Sequence, residues 1–309
     1  MVDSKHQWKA WIYLSPAIVL LLVFTLWPII NTVRMAFMNG YNMMGALGGR
    51  TFEYGFDNFV KVVGYKDFFQ YLGTTMLLCV LTVPISTILA LLIAVALNSI
   101  KILQKPLQTI FFLPYVTNSI AIGMVFFAMF NRVGTGNLVA TQGIINNVIE
   151  FFGGTAQNWI NVGSDYWHNI FVLVVYIVWN ALPFKILVLL GGLQSINKQY
   201  YDAAKVDGTS RIRVLRKITV PLLSPMIAYV VITSFISGFK EYSSVVGIFG
   251  VNMGPADDKA RLNTIVGYIY DSLSGKHQGR ASAAALILFG IIFIVTMINL
   301  RVSKKKVHY

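Results

Sequence analysis

Residues 68–100 read FFQYLGTTMLLCVLTVPISTILALLIAVALNSI and contain no charged side chain. The hydrocarbon core of a bilayer is about 30 Å thick, and an α-helix needs roughly 20 apolar residues to cross it. Because this stretch is longer than that, part of it must tilt, kink at Pro84 or extend beyond the membrane. The stretch therefore predicts a membrane-spanning helix.

Five more windows of this kind lie on either side of the stretch. We predict six transmembrane helices, at residues 11–33, 71–97, 107–131, 169–192, 219–241 and 281–300. The composition agrees, because 56% of the 309 residues are hydrophobic and only 12% are charged, against roughly 25% charged in a typical soluble domain. The expected fold is all-α, a polytopic membrane helical bundle that forms one transmembrane domain over residues 1–309. The first window is too long for the apolar part of a signal peptide, so we expect a retained helix.

The basic residues are concentrated in alternate loops, and this predicts the orientation. With the N-terminus inside, the cytoplasmic segments hold fourteen Lys and Arg residues and three acids, whereas the outer loops are close to neutral. Because membrane insertion tends to leave Lys and Arg in the cytoplasm, we expect both termini there, in a multi-pass membrane protein. The net charge of +13 follows from this topology, so we expect contact with membrane lipid and no nucleic-acid partner.

The sequence contains none of the residue patterns that indicate a metal site or a phosphate-binding loop. Cys79 is the only cysteine, which excludes an intrachain disulfide and a cysteine-based metal site. The four histidines have no spacing that would form a metal site. The nearest string to a phosphate-binding loop, SGKH at 274–277, lacks the upstream Gly and the Ser or Thr after Lys. We expect no catalytic residue, no metal and no cofactor in this chain.

A charged stretch separates the fourth and fifth predicted spans. Residues 194–221 read QSINKQYYDAAKVDGTSRIRVLRKITVP. We predict a short helix over 198–207, with Asn197 as its N-cap and Gly208 in the left-handed conformation after it. Ser210 is placed to cap a second short helix that leads into the next span. The expected shape is helix, tight turn, helix on the cytoplasmic face.

One face of the first short helix suggests a docking element. Tyr201, Ala204 and Gly208 are spaced so that an aromatic side chain lies beside small residues, which permits close approach of another surface. A basic amphipathic connector that lies on the lipid headgroups is an equally good interpretation of the pattern alone.

The stretch resembles the EAA loop of ATP-binding-cassette importer permeases. In that family the pattern is E-A-A, three residues, G, nine residues, I, one residue, L-P; here Asp202 replaces the usual Glu and Val220 the usual Leu. The resemblance implies that this segment couples the permease to an ATPase. The positions it assigns to coupling are Tyr201, Asp202, Ala203, Ala204, Asp207, Gly208, Ile218 and Pro221.

Other motifs extend the resemblance over most of the chain, to carbohydrate-uptake permeases of the maltose type. They are FFLP at 111–114, Trp179 with Pro183, NMGP at 252–255 and GRASA at 279–283, and the last two favour the MalF-like subunit. The resemblance implies a MalG-like second permease subunit, two cytoplasmic ATPase subunits that bind ATP and Mg, and an extracytoplasmic solute-binding protein. The solute would be a carbohydrate, with an oligosaccharide favoured.

The resemblance also implies a solute pathway. In maltose-type permeases the sugar contacts come from the helix before the EAA loop and from the helix after it. Carried onto this chain, those positions are Asn180, Ala181, Phe184, Phe239, Lys240 and Ser243. Aromatic faces suit the C–H surface of a sugar ring, and amide, hydroxyl and ammonium groups suit its hydroxyls.

Plainer interpretations exist for several of these side chains. Phe184 and Phe239 also fit packing inside a helical bundle. Lys240 and Glu241 also fit the solvated outer end of the fifth helix, and Lys185 fits a lysine that snorkels to the cytoplasmic interface.

Two other functions are consistent with a helical membrane protein of this kind. An ion-coupled secondary transporter would need buried acids in broken helices, whereas most acids here fall in predicted loops. A permease for a polyol or a glycerol phosphate would share every feature above.

Overall fold

A computed structural model of the chain describes residues 7–100, 104–135 and 138–306. Lys5, Lys101 and the two chain ends, which contribute to the predicted orientation, lie outside the described residues. The described chain is mostly helical, with one small hairpin. Its contacts divide it into two compact units, Met1–Phe69 with Tyr268–Phe289, and Gln70–Gly267 with Gly290–Tyr309.

Four helical stretches are long and apolar enough to cross a membrane. They are Trp8–Phe37, Phe68–Ser99, Tyr166–Ser195 and Gln278–Lys304. The helices predicted at 11–33, 71–97, 169–192 and 281–300 are therefore present. Each observed helix is longer than its apolar window, because polar residues at the ends continue the helical hydrogen bonding.

In the first unit, the first of these stretches is one long rod. Helix α1 (Gln7–Leu21) continues through a π-helical turn (Leu22–Leu26) into α2 (Trp27–Phe37). No part of its most apolar window is buried by the described residues. Two short helices follow, α3 (Met43–Leu47) and α4 (Asp57–Val63).

Asn58 of α4 holds the end of α2. Its side-chain amide is almost fully buried and donates to the carbonyl oxygens of Ala36, at 3.0 Å, and Met38, at 2.7 Å. These carbonyls belong to the end of a helix, where backbone acceptors have no partner in the helix itself. The amide therefore satisfies them inside the protein.

The same region connects distant parts of the sequence. The backbone N–H of Gly279 donates to the carbonyl of Tyr41 at 3.0 Å, and the backbone N–H of Met43 donates to the Gln278 side chain at 3.1 Å. Gln278 begins α16 (Gln278–Lys306), so the segment that follows the first helical rod is bonded to the start of α16.

The predicted span at 107–131 is wrong as a single helix. Helix α5 (Phe68–Ser99) is followed by α6 (Gln104–Val116) and α7 (Ser119–Phe130), with a break at Thr117 and Asn118. Asn118 has an extended backbone, and its side-chain oxygen accepts from the N–H groups of Ile120, at 2.9 Å, and Ala121, at 3.2 Å. Asparagine competes with the helix for backbone hydrogen bonds and so begins a new one here.

The predicted span at 219–241 is also not one straight helix. Arg211–Leu222 and Ser224–Gly238 are bent by 70° where they meet. The first part comprises α11 (Arg211–Val214), a π-helical turn (Leu215–Thr219) and α12 (Val220–Leu222), and the second is α13 (Ser224–Gly238). Pro225 stands in the first turn of α13, where a missing N–H is tolerated and a new helix axis can start.

Smaller elements fill the predicted outer loops. Strands β1 (Arg132–Thr135) and β2 (Leu138–Gln142) form an antiparallel hairpin, followed by α8 (Ile144–Phe151) and then α9 (Tyr166–Ser195). After α10 (Lys198–Val206) and α11 to α13 come α14 (Ser243–Phe249) and α15 (Ile265–Ser274).

Helix α9 contributes to two hydrophobic clusters of the second unit. In one cluster, Tyr176 of α9 packs with Phe126 of α7 and Val245 of α14. In the other, Leu189 of α9 packs with Ala90 of α5. The helix is buried on several sides, and its polar residues Asn169 and Lys185 are enclosed by protein.

Candidate functional site

A cavity of about 440 Å³ lies in the second unit, among α5, α9, α13 and the break between α6 and α7. Most of its polar wall consists of hydroxyl groups. The lining residues are Thr82, Val83, Ser86, Tyr115, Thr117, Ser119, Ile177, Asn180, Ala181, Phe184, Lys185, Thr233, Ser234, Ser237, Gly238 and Glu241. Such a wall can exchange hydrogen bonds with a polyhydroxylated solute.

Polar side chains of α9 hold the broken helix open at the cavity. The Tyr176 hydroxyl donates to the carbonyl of Ser119, and the Asn180 amide donates to the Ser119 hydroxyl at 3.2 Å. Irregular backbone at membrane depth is tolerated where it lies against protein or lines a cavity. The break thus places Thr117 and Ser119 in the cavity wall.

Lys185 of α9 is buried, and its side chain is bonded to α5 rather than extended to the protein surface. The side chain is 3% exposed, and Nζ donates to the hydroxyls of Ser86, at 2.6 Å, and Thr87, at 3.2 Å, and to the carbonyl of Val83, at 3.5 Å. The interpretation of Lys185 as a snorkelling lysine is therefore wrong. Its position on α9 faces α5, which supplies three oxygens for the three ammonium protons.

Two aromatic rings form part of the same wall. Tyr115 and Phe184 stack with ring centroids 6.1 Å apart and an angle of 19° between the ring planes. Together they make a flat apolar surface beside the hydroxyl-lined wall, which is the combination that a sugar ring needs.

The structure brings half of the sequence-predicted pathway residues to this cavity. Asn180, Ala181 and Phe184 line it, whereas Phe239, Lys240 and Ser243 do not. Helix α13 ends at Gly238, earlier than the predicted limit of 241. Phe239 is then buried at 3% exposure, Lys240 is exposed, and Ser243 begins α14.

Glu241 lines the cavity, whereas the sequence predicts that its neighbour Lys240 does so. One of its carboxylate oxygens accepts from the N–H of Ser244, in the first turn of α14, at 3.1 Å. Its backbone carbonyl accepts from the Thr264 hydroxyl at 2.9 Å.

The sequence-based prediction also missed the hydroxyl groups of Thr233, Ser234 and Ser237 in α13, which line the cavity. Their i, i+1, i+4 spacing places them on adjoining sides of one helix, and this spacing is the signal that could have identified them.

The second candidate region is the charged stretch around α10. Helix α10 begins after Asn197, whose side chain accepts from the N–H of Gln199 at 3.0 Å, and Gly208 follows it with φ of 63°. The predicted helix, N-cap and left-handed glycine are confirmed. Ser210 precedes α11, as predicted, but its side chain makes no capping hydrogen bond.

The predicted docking face of α10 is turned toward its own chain. Ala204 is buried at 5% exposure, and the Tyr201 hydroxyl lies 3.3 Å from the hydroxyl of Thr219. Tyr201 and Ala204 thus pack against their own chain, so these two residues of the predicted face are not free to receive another surface, whereas Gly208 is. The outward face consists of Asp202, Ala203, Val206 and Asp207, and Val206 is 88% exposed. Gly208 is exposed next to this face, while Ile218 and Pro221 are partly buried in the segment that follows.

Several known proteins are similar to this chain in sequence, and one solved structure is similar in fold. Residues 86–308 match the family model described as "Binding-protein-dependent transport system inner membrane component". The chain is 28% identical to the lactose transport system permease protein LacF of Rhizobium radiobacter, over 94% of this chain and 91% of LacF. It is 27% identical to the arabinooligosaccharides transport system permease protein AraP of Bacillus subtilis (strain 168), over 97% of this chain and 91% of AraP.

A solved structure has the same fold. A chain of a bacterial ABC transporter involved in the import of the acidic polysaccharide alginate aligns with a TM-score of 0.78. The sequence identity is 21%, and the alignment covers 97% of this chain and 96% of that chain.

Proposed function

Because the chain belongs to the family of binding-protein-dependent transport system inner membrane components, we propose that it is a permease subunit of an ATP-binding-cassette importer for a carbohydrate. The family match over residues 86–308 is the observation that carries the proposal. The relatives' names support the solute class, since LacF belongs to a lactose transport system and AraP to an arabinooligosaccharide transport system.

The solute pathway in this proposal is the hydroxyl-lined cavity. Its volume of about 440 Å³ is in the range of sites for small ligands, and a sugar ring would stack on Tyr115 and Phe184. Asn180 and the hydroxyls of α13 would exchange hydrogen bonds with the sugar hydroxyls, and Lys185 would supply a positive charge.

The coupling element in this proposal is α10. Its outward face would lie in a groove of a cytoplasmic ATPase, and a MalG-like permease subunit would present a second copy of such a helix to a second ATPase. Closure of the ATPases around ATP and Mg would pull α10 and open the cavity outward, and hydrolysis would return it inward. This places the chain in a prokaryotic plasma membrane with both termini and α10 in the cytoplasm, and six membrane crossings would then include the two broken ones.

An ion-coupled secondary transporter is the second candidate, and Glu241 is the observation that favours it. This acid lines a cavity beside a broken helix, as in proteins that bind coupling ions. The binding-protein dependence of the family favours the importer. A permease for a polyol or a glycerol phosphate would use the same cavity.

Reconstitution tests the proposal directly. The chain is co-expressed with its second permease and ATPase, placed in proteoliposomes, and supplied with binding protein loaded with one sugar at a time. We expect ATP hydrolysis and uptake to rise with one class of oligosaccharide. Uptake that proceeds without ATP and stops when an ionophore collapses the ion gradient would overturn the importer in favour of the secondary transporter.

A further inference from the structure

The segment Arg211–Leu222 has the geometry of a helix that lies at a membrane surface. It meets α13 at 70°, so that it runs close to the membrane plane when α13 crosses the bilayer. Its sequence, RIRVLRKITVPL, has four basic residues and no acid. A cationic helix in this orientation lies at the level of the lipid headgroups.

The charges of this segment are not neutralised by the part of the chain that the structure describes. None of Arg211, Arg213, Arg216 and Lys217 lies within 4 Å of a carboxylate of a described residue. Ile212, between two arginines, is 67% exposed. An exposed apolar side chain between cations suits the boundary between headgroups and acyl chains, where each finds its preferred surroundings.

A cavity of about 600 Å³ opens between this segment, α10 and the adjacent ends of α5 and α9. Lys205 and Arg211 are its two basic lining residues, and the Thr219 hydroxyl is also in the wall. Lys205 forms an exposed ion pair with Asp202 at 3.1 Å, and such a pair contributes little, so a phosphate can compete for its ammonium group; Arg211 has no carboxylate of a described residue within 4 Å. Val95 of α5 and Leu193 of α9 add an apolar surface to the wall of the cavity. The cavity therefore combines a cationic side with an apolar side.

We propose that this cavity binds the phosphate headgroup of an anionic phospholipid of the cytoplasmic leaflet. Arg211 and Lys205 contact the phosphate, Arg211 through two parallel N–H groups, and the start of an acyl chain lies along Val95 and Leu193. A free phosphate would leave the apolar side in contact with water. The assignment to the cytoplasmic leaflet rests on the topology given under the proposed function, whereas the binding itself does not.

The lipid would have a mechanical effect on α10. Tyr201 of α10 and Thr219, whose hydroxyls lie 3.3 Å apart, both line the cavity, so a lipid held there fills the space between α10 and the ends of α5 and α9. Motion of α10 would then be transmitted to the bundle through a filled space. Anionic lipid is thus expected to raise the coupling between ATP hydrolysis and uptake.

The experiment measures lipid binding to the purified complex by native mass spectrometry, with dioleoyl phosphatidylglycerol and dioleoyl phosphatidylcholine as probes. We expect preferential binding of phosphatidylglycerol to the wild type. A basic residue near a headgroup contributes about a fivefold change in affinity, so Lys205→Gln with Arg211→Gln should weaken phosphatidylglycerol about 25-fold. Arg211→Lys, which keeps the charge, should retain most of the preference and shows that the site still folds.

The matched control removes two exposed cations from the end of α16, by Arg301→Gln with Lys304→Gln. The proposal is overturned if this control weakens phosphatidylglycerol as much as the cavity variant, since binding would then follow total charge. It is also overturned if the wild type has no preference between the two lipids, or if millimolar glycerol 3-phosphate displaces the lipid.

A partner protein is the remaining occupant to separate from lipid. If Lys205→Gln with Arg211→Gln leaves phosphatidylglycerol binding intact but loses the co-purified ATPase, the cations belong to a protein contact and the lipid site is overturned. Failure of the lipid experiment leaves sugar-stimulated ATP hydrolysis unaffected, so the two proposals fail separately.

Discussion

Lys185 and Lys240 are two lysines near the same cavity with opposite surroundings. Lys185 is enclosed by oxygens of α5, while Lys240 is exposed just after the end of α13. The cost of burying an ammonium group is met at Lys185 by neutral hydrogen-bond acceptors alone. In the proposed solute pathway, a positive charge in a wall of low polarity would act strongly on the solute that passes it.

The two lysines give a matched pair of variants. Lys185→Met removes the positive charge from the cavity wall and the charged hydrogen bonds that hold it there, an effect of about 1.5 to 3 kcal/mol, so uptake should fall about 10- to 150-fold. Lys240→Met should leave uptake within about twofold of wild type. Uptake in vesicles, with membrane level as the control, makes the comparison. Equal uptake by the two variants would remove Lys185 from the pathway.

A substitution at Gly208 can distinguish the proposed coupling role of α10 from an effect of backbone strain. Its φ is 63°, and a Cβ placed on it would meet nothing within 4 Å, so Gly208→Trp costs about 1–2 kcal/mol for the left-handed backbone but causes no clash inside the chain. Gly153 has φ of 81° and the same open space, far from α10 in sequence. Both variants should insert and fold, but only Gly208→Trp should lose the co-purified ATPase and uptake.

The result depends on the difference between these two glycines. A stoichiometric ATPase and normal uptake in Gly208→Trp would make the segment a connector. Equal loss in both variants would indicate a general effect of strain.

Helices α7 and α14 cross with their backbones in contact. A Cβ built on Gly123 would lie 2.5 Å from the Cα of Gly247, and one on Gly247 would lie 2.9 Å from the Cα of Gly123. Only residues without a side chain fit there, so the short α14 is held against the broken helix. The crossing lies close in sequence to Glu241 and to the break at Asn118.

Adding one methyl group to this crossing should separate the two helices. We expect Gly123→Ala to destabilise the protein by about 1–3 kcal/mol, as overpacking does in a close-packed interior. Gly73→Ala, in α5, adds the same group where nothing lies within 4 Å, and should be neutral or slightly stabilising. Thermal unfolding of the detergent-solubilised protein measures both, and a Gly123→Ala midpoint equal to that of Gly73→Ala would contradict the close contact.

The elements differ in how far the sequence predicts them. Helix α10 could be predicted with its cap and its glycine, because those signals are local to Asn197 and Gly208. The break at Asn118 could not, because hydropathy averages over one asparagine whose effect comes from two backbone hydrogen bonds. The inward turn of Tyr201 and Ala204 could not either, since helical spacing identifies a face but not what lies opposite it.

The candidate cavity was predictable only in part for a similar reason. Asn180, Ala181 and Phe184 follow from the resemblance of α9 to maltose-type permeases. The positions on the following helix shifted because α13 ends at Gly238, and a shift of one residue in a helix rotates a side chain by about 100°.

The distribution of basic residues along the whole chain predicts which loops face outward. Single cysteines are introduced in a Cys79→Ser background and labelled in intact cells with an impermeant thiol reagent. We expect Lys259→Cys to label from outside and Lys304→Cys to label only after the cells are opened. Both positions are exposed, so access depends on the side of the membrane. Labelling of Lys304→Cys in intact cells would reverse the orientation and move α10 to the outer face.

The contact between α3 and the start of α16 forms late in biosynthesis. The bond from Met43 to Gln278 joins residues 235 positions apart. A ribosome adds roughly 5 to 20 residues per second, so α3 is made on the order of 10 to 50 s before this bonding partner exists. Asn58 can hold the end of α2 soon after synthesis, whereas α3 waits for the start of α16 before its contacts are complete.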